Sequence, residues 1–389
     1  MCPAGPSDKH RHRPPKVALA RCDNYGDNEV LSALRSSINL LGGIEHLFKK
    51  GEKVLLKPNL LAAKPAELAV TTHPSIVRAA ITLLREAGAA PLVGDSPGIG
   101  SAVKVAGRCG IADVCREMEV ELIDFKESVT VINPRGGQFR RFEIAKEALE
   151  VDAILNLPKV KTHAQMFLTL GVKNLFGCVV GKRKPQWHLS AGVDTATFAR
   201  MLVDLSLTLK PRLTIADGIV GMEGNGPGNG DPRRLGFIAV SQECLPLDTV
   251  ISTILGAQPE DVPVLRVARE DKRGETEIEK ITILGEKLEA CRVSLFRFPE
   301  KVVDINFTAT LPYFIRRRLK KSLSVKPHIE HTLCSLCNTC VDLCPSGTIT
   351  KEKKITIDPD GCISCFCCQE MCPHGAITPK SGWLARFLT

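Results

Sequence analysis

KVLLKPN (53–59), HPSIVRAAITLLREAG (73–88) and APLVGDSPG (90–98) follow one another and decide the fold of most of the chain. The first and third are short apolar runs that break into Pro, Asn, Asp and Gly, as strands do where they enter turns. Between them Ile76, Ala80 and Leu83 recur at helical spacing, with Pro74 suited to the first turn and Gly88 to the stop. The same alternation extends in both directions. KVALA (16–20) reads as a strand, and Val30, Leu31, Leu34, Ile38 and Leu41 form a helical stripe that stops on Gly42 and Gly43. VDAILNLP (151–158) is a further strand, and a helix through Phe198, Leu202, Leu205 and Leu209 leads into the strand RLTIADG (212–218). Repeated strand–helix–strand order predicts an α/β domain with a large, mostly parallel sheet over residues 16–311.

In an open α/β sheet, ligands bind beyond the carboxyl ends of the strands. Here those ends carry Lys57 and Asn59, Asp95, Lys159, Lys161 and His163, and Asp217. Asp95 and Asp217 are individually explained as turn residues. Three lysines and a histidine are not, so a ligand site is expected at this edge. TLGVKNLFGCVVGKRKPQWH (169–188) adds Lys173, Asn174 and His188, and DGIVGMEGNGPGNGDPRRLG (217–236) adds Glu223 in the most glycine-rich stretch of the chain. Glycines let backbone approach a ligand and expose N–H groups to an anion, although a surface lid would have the same composition. Neither the P-loop nor the dinucleotide fingerprint is matched. Lysines from separate segments suit a phosphate or carboxylate, so the expected ligand is an anionic small molecule.

CSLCNTCVDLCP (334–345) and CISCFCCQEMCP (362–373) both read C-x2-C-x2-C-x3-C-P, the run of bacterial two-cluster ferredoxins, in which the fourth cysteine reaches the other cluster. The expected ligand sets are Cys334, Cys337, Cys340 and Cys372 for one [4Fe–4S] cluster, and Cys362, Cys365, Cys368 and Cys344 for a second. The tails CPSGTIT and CPHGAIT repeat as well, an internal duplication. Paired zinc sites are the alternative, but they space their Cys-x2-Cys knuckles more widely. Cys367, opposite Thr339 in the other half, is out of register for a ligand. The module is expected to be a small α+β ferredoxin-like domain at residues 329–378.

Of 16 cysteines, the seven outside the module are scattered singly, which suits a reducing, intracellular setting rather than a disulfide framework. The net charge of +9 gathers in a basic tail (1–15) expected to be disordered and in a linker (312–328) containing RRRLKK. No aromatic platform accompanies it, so nucleic-acid binding is not expected. No apolar run is long enough to span a membrane. Residues 379–389 form an amphipathic C-terminal tail.

KVLLKPNLL (53–61), AVTTHPSIVRAAI (69–81), VGDSPG (93–98), LPKVKTH (157–163), TLGVKNLFG (169–177), ADGIVGMEGNGPGNGDP (216–232) and CFCCQEMCP (365–373) together resemble the domain-of-unknown-function 362 family, in its branch with a fused two-cluster ferredoxin. The likeness spans residues 16–378. It implies a cytoplasmic protein of an anaerobic or metabolically versatile prokaryote. The family's positions at Lys57, Asn59, His73, Asp95, Lys161, His163, Lys173, Asn174, His188 and Asp217 match, but the resemblance assigns them no roles.

Three functions fit these residues. One is an oxidoreductase that passes electrons between two [4Fe–4S] clusters and an anionic substrate or cofactor in the α/β domain, with a soluble electron carrier or redox protein as partner. The second is a dedicated electron-transport or cluster-handling protein. The third is a non-redox α/β enzyme with a structural ferredoxin module.

Overall fold

The computed structural model describes residues 14–98, 100–134, 136, 139–181, 183–192, 194–299 and 325–381. The expected tail and linker therefore lie outside the described residues up to 13 and from 312 to 324, as does the C-terminal segment from 382 onward.

The large sheet is built from β1 (Lys16–Arg21), β2 (Lys53–Pro58), β3 (Ala90–Asp95), β4 (Leu122–Asp124), then, after the separate hairpin of β5 (Ser128–Ile132) and β6 (Arg141–Ala145), from β7 (Ala153–Leu157), β8 (Lys159–His163), β9 (Phe167–Thr169), β10 (Leu213–Glu223), β11 (Asp231–Ser241) and β12 (Thr282–Gly285). Its order is β12-β1-β11-β10-β7-β2-β3-β4, with β8 paired to β10 and β9 to β8. Strands β4, β3, β2, β7 and β10 run parallel. The long hairpin of β10 and β11 then turns the sheet antiparallel toward β1.

Successive side chains of a strand point to opposite faces, and both faces are covered. Leu55 belongs to one apolar layer, with the helices Thr195–Leu209, Cys244–Leu255 and Pro263–Glu270. Val54 and Leu56 belong to the other, with the helices Asp27–Leu40, Pro74–Glu86 and Ala102–Cys109. Burial on both sides explains why KVLLK reads as a continuous apolar run and does not alternate. The helix after β2 begins as its sequence requires: Pro74 occupies the first turn and His73 Nδ1 accepts from the Ser75 N–H at 3.2 Å.

The small C-terminal domain pairs β13 (Val325–Ile329) with β16 (Ile377–Ser381) and β14 (Ile349–Lys351) with β15 (Ile355–Ile357), all antiparallel. Its duplication is visible in the backbone. Leu336 and Ser364, Asn338 and Phe366, and Gly347 and Gly375 occupy equivalent places, and all six have positive φ, between 54° and 67°. Left-handed residues at matched points curl each half around a hollow and lead into matched helical turns, Thr339–Asp342 and Cys367–Glu370.

Candidate functional site

The carboxyl edge of the parallel strands and the second half of the small domain enclose a cavity of about 90 Å³. Lys57 and Asn59 come from the end of β2, Asp95 from the end of β3 and Lys161 from β8. Lys173 and Asn174 come from the short helix Gly171–Asn174, and Lys184 and His188 from the helix Arg183–Ala191. Cys367, Glu370 and Met371 close it from the small domain.

The cavity wall is tied together by amides. Lys161 Nζ donates to Asn59 Oδ1 (2.8 Å), Asn59 Nδ2 to Asn174 Oδ1 (2.9 Å), Asn174 Nδ2 to Asn156 Oδ1 (2.9 Å), and Asn156 Nδ2 to the Gly171 carbonyl (3.0 Å). Lys161 also donates to the Val70 carbonyl (2.6 Å). Lys57 and Asp95 form an almost fully buried ion pair at 2.9 Å. A Cβ on Gly177 would stand 2.2 Å from Asp95 Oδ1 and 2.4 Å from Lys57 Nζ, so only glycine lets the backbone pass there. The buried Asp248 carboxyl accepts from Gly171 N (2.7 Å) and Val172 N (3.0 Å), which fixes the turn that presents Lys173. Burial raises this acid to about 7, against the pull of those two N–H groups.

Among the described residues, several polar atoms at this cavity have no hydrogen-bond partner. Lys173 Nζ lies 5.4 Å from the Phe176 ring, and among the described residues no hydrogen-bond acceptor reaches it. His188 Nδ1, Thr169 Oγ1 and, behind the wall, His163 Nε2 are buried without hydrogen bonds. His163 Nδ1 accepts from Gln165 N and Met166 N (3.1 and 3.2 Å), so the neutral ring carries its proton on Nε2, which faces Glu370 Oε2 at 3.7 Å. Burial, reinforced by Lys173, lowers His163 to about 4 and His188 to about 3. Burial likewise lowers Lys161 to about 7, although Glu370 opposes the shift. Lys184, which donates to the Ser96 carbonyl and hydroxyl, is lowered to about 8 by burial, against the attraction of Asp95. Burial would raise the Glu370 carboxyl, but Lys173 and the two histidines outweigh it and hold the acid far below its usual range.

The remaining residues expected at the site lie elsewhere. Lys159 Nζ is fully buried between Asp217 Oδ2 (2.8 Å) and the Tyr25 hydroxyl (2.8 Å). Asp217 also accepts from Tyr25 and from the His73 N–H, and the His73 ring stacks on Tyr25 at 3.5 Å. This network joins β10 to β8 and the loop after β1; none of its members lines the cavity. Glu223 pairs with Arg297 at 2.9 Å, away from the cavity.

The glycine-rich stretch after Glu223 holds the small domain. Gln369 Nε2 donates to Asn225 Oδ1 (2.8 Å) and to the Asn225 and Gly226 carbonyls (3.3 and 3.0 Å), and Asn229 Nδ2 donates to the Cys372 carbonyl (3.3 Å). Cβ atoms on Gly228 and Gly375 would stand 3.2 Å from Glu370 O and Asn229 Oδ1, so the glycines permit close approach of backbone at the first place and of the Asn229 side chain at the second.

Each cysteine set lines a hollow of its own. Cys334, Cys337, Cys340 and Cys372 surround one, with Ile329, Ile355 and Ile377. Cys344, Cys362, Cys365 and Cys368 surround the other, with Ile349, Ile357 and Phe366. Four sulfurs around an apolar hollow fit a cubane, whose irons are spread over its corners. Among the described residues, no three His, Cys, Asp or Glu side chains converge as one metal ion requires. N–H groups already aim at sulfur: Ala376 N lies 3.3 Å from Cys372 Sγ and Ser364 N 3.5 Å from Cys362 Sγ.

Sequence reasoning passed over Asn156, Thr169, Lys184, Asp248 and Glu370. Asn156 had a signal, as one amide inside an otherwise apolar strand. Glu370 had none, because its place at the cavity depends on how two domains meet.

Comparison with known proteins places these features. The family described as domain of unknown function DUF362 matches residues 54–253, and a 4Fe-4S dicluster domain matches residues 333–376. The thylakoid-associated protein sll1697 of Synechocystis sp. is 36% identical over 315 residues, covering 79% of this chain and 97% of that protein. Among solved structures, the lactate racemase apoprotein of Thermoanaerobacterium thermosaccharolyticum aligns at a TM-score of 0.36 and 11% identity, over 59% of this chain and 54% of its own. A Thermotoga maritima protein aligns at 0.34 and 13%, over 52% of each chain.

Proposed function

We propose, for a chain that belongs to the DUF362 family and ends in a 4Fe-4S dicluster domain, that it is an oxidoreductase acting on a small anion held between its two domains. One observation carries the reading. A single cavity is lined both by the strand-end lysines and by the helical turn that bears Cys368 of the second cysteine set.

In this reading the two crossed sets hold two [4Fe–4S] clusters, which supply one-electron chemistry when bound. The protein's own residues do the rest. Lys57, Lys161, Lys173 and Lys184 face two carboxylates, Asp95 and Glu370, and Lys57 is already neutralised by Asp95. The surplus positive charge favours a carboxylate or phosphate group, with Lys173 as its anchor because among the described residues no other acceptor reaches it. Thr169 and His188 offer the unpaired polar atoms that fix its orientation. Leu60, Leu61, Phe176, Leu343 and Met371 exclude water and strengthen these contacts. Lys161, lowered toward neutrality by burial, is placed to exchange a proton with the ligand.

The free, scattered cysteines of the body suit a reducing compartment, and the reading places the protein in the cytoplasm. The name of the Synechocystis relative raises association with a membrane surface; among the described residues no helix is long and apolar enough to cross a membrane.

The test is anaerobic purification followed by denaturation and mass analysis of what is released. Retention of one small anion per chain, lost in Lys173→Met, supports the enzyme reading. Protein with full iron and sulfide but no retained or added anion binding favours a dedicated electron-transfer protein.

A further inference from the structure

The duplicated small domain is asymmetric in what it leaves uncovered. In the second half, Cys365 and Cys368 are buried, Phe366 packs on Ala164 of the large domain, and Gln369 is bonded into the glycine-rich loop. In the first half, Cys337 is exposed. Leu333, next to Cys334 of the same set, is 56% exposed, and Leu336, next to Cys337 in the chain, is 36% exposed. Their counterparts in the second half are Gly361 and Ser364, so the repeat does not require leucine at either place. Solvent-facing leucines around an exposed cluster ligand mark a surface that is covered some of the time.

Charge says by what. Lys351 Nζ donates to the Leu336 carbonyl at 2.8 Å, which sets the hairpin tip between β14 and β15 against this face. That tip carries Lys351, Lys353 and Lys354, all exposed, against Glu352 alone. Glu330 and Asp342 are exposed near the same leucines, so the basic edge is the hairpin side alone, and an apolar centre with that basic edge is complementary to a partner with an apolar contact and an acidic edge.

We propose that the Leu333–Leu336–Cys337 face docks a small acidic electron-carrier protein, so that electrons enter at the first cysteine set and leave through the second toward the interdomain cavity. The proposal rests on the reading of the two sets as cluster sites. In each encounter the reduced carrier loses one electron and the oxidised module gains one; no bond or proton is exchanged. Entry and exit then use different surfaces of the module: the side bearing Cys337 is open, and the turn bearing Phe366 and Gln369 is committed to the large domain.

The test uses the full, cluster-loaded chain and a photoreduced acidic flavodoxin as probe, under anaerobic conditions, with bleaching of the cluster absorbance as readout. Lys353→Glu/Lys354→Glu should lower the second-order rate tenfold or more at low ionic strength, and added salt should shrink the difference. Leu333→Ser should weaken carrier binding by calorimetry several-fold at any salt. Reduction by dithionite, which needs no docking face, should be unchanged in all three proteins, showing intact clusters. Wild-type rates in both variants, or a rate independent of salt, would overturn the proposal. So would a dimer in sedimentation that Leu333→Ser dissolves, since the face would then belong to a second copy. The assay requires no ligand in the cavity. Normal docking with no retained anion would sink the enzyme reading and leave this one standing.

Discussion

Glu370 Oε2 of the small domain lies 3.7 Å from His163 Nε2 of the large one. The imidazole is neutral, because burial lowers it to about 4, so the contact is an N–H directed at a carboxylate and not an ion pair. Through this contact a residue two positions from Cys368 and two from Cys372 shares its environment with Lys173 and Lys161. Glu370→Gln should therefore change the small domain and the cavity together. The cluster signals in electron paramagnetic resonance should shift and anion affinity should rise, since a negative neighbour of Lys173 is gone. Unaltered spectra and affinity would uncouple the two.

Lys173→Met and Lys161→Met should differ. Among the described residues Lys173 has no acceptor, so its loss should weaken anion binding about tenfold or more, a charge-assisted contact being worth about 1.5–3 kcal/mol, with folding unchanged. Lys161 satisfies Asn59 Oδ1 and the Val70 carbonyl, so its loss should also lower stability by about 1–3 kcal/mol. Calorimetric titration beside denaturant unfolding separates the two.

Asp217→Ala should destabilise by about 3–5 kcal/mol, because Lys159 would remain as a buried, unpaired cation. Tyr25→Phe should cost about 1 kcal/mol. Neither variant that folds should alter anion affinity. A large loss of affinity in Tyr25→Phe would extend the site to this second network.

His163 and His188 give an acid limb to stability. Both have folded values below the ordinary 6.5, at about 4 and about 3. Below 6.5 the unfolded chain takes up protons that the folded chain refuses. Stability is therefore complete above about pH 7 and is lost as pH falls through 6.5 toward 4. Nitrogen chemical shifts should show His163 as the Nε2–H tautomer from pH 8 to 5. A ring that titrates near 6.5 would contradict its placement.

Much of this was legible in the sequence. The α/β reading rested on β2, the helix after it and β3, whose apolar runs and turn residues have local causes. The duplication of the cysteine runs was plain in the sequence, and the matched left-handed residues of the two halves were implicit in that repeat. Lys57, Asn59, Asp95 and Lys161 meet at one cavity because a parallel sheet delivers its strand ends to one edge, and two short helices bring Lys173, Asn174 and His188 to the same place. What was not legible depends on pairing across distance. Lys159 and Lys161 belong to one strand, yet Asp217 on β10 takes the first and Asn59 the second. The glycine-rich loop looked like a backbone anion site or else a surface lid; it contacts Gln369 and Cys372, and no composition could name that partner.

The crossed sets make an opposite prediction from neighbour sets. Cys344→Ala should damage the cluster of Cys362, Cys365 and Cys368, and Cys372→Ala that of Cys334, Cys337 and Cys340. Iron and sulfide analysis with magnetic resonance distinguishes the outcomes, and stoichiometric zinc in anaerobically purified protein would end the cluster reading.

If anion site and clusters form one unit, the anion must shift the cluster potentials, which a potentiometric titration measures. The second cluster's potential is measured with the retained anion in place and again after the anion is removed. Coupling of the usual strength, about 5- to 150-fold, corresponds to a shift of about 40–130 mV for one electron. The second cluster should show such a shift and the first a smaller one. Identical potentials with and without the anion would contradict it.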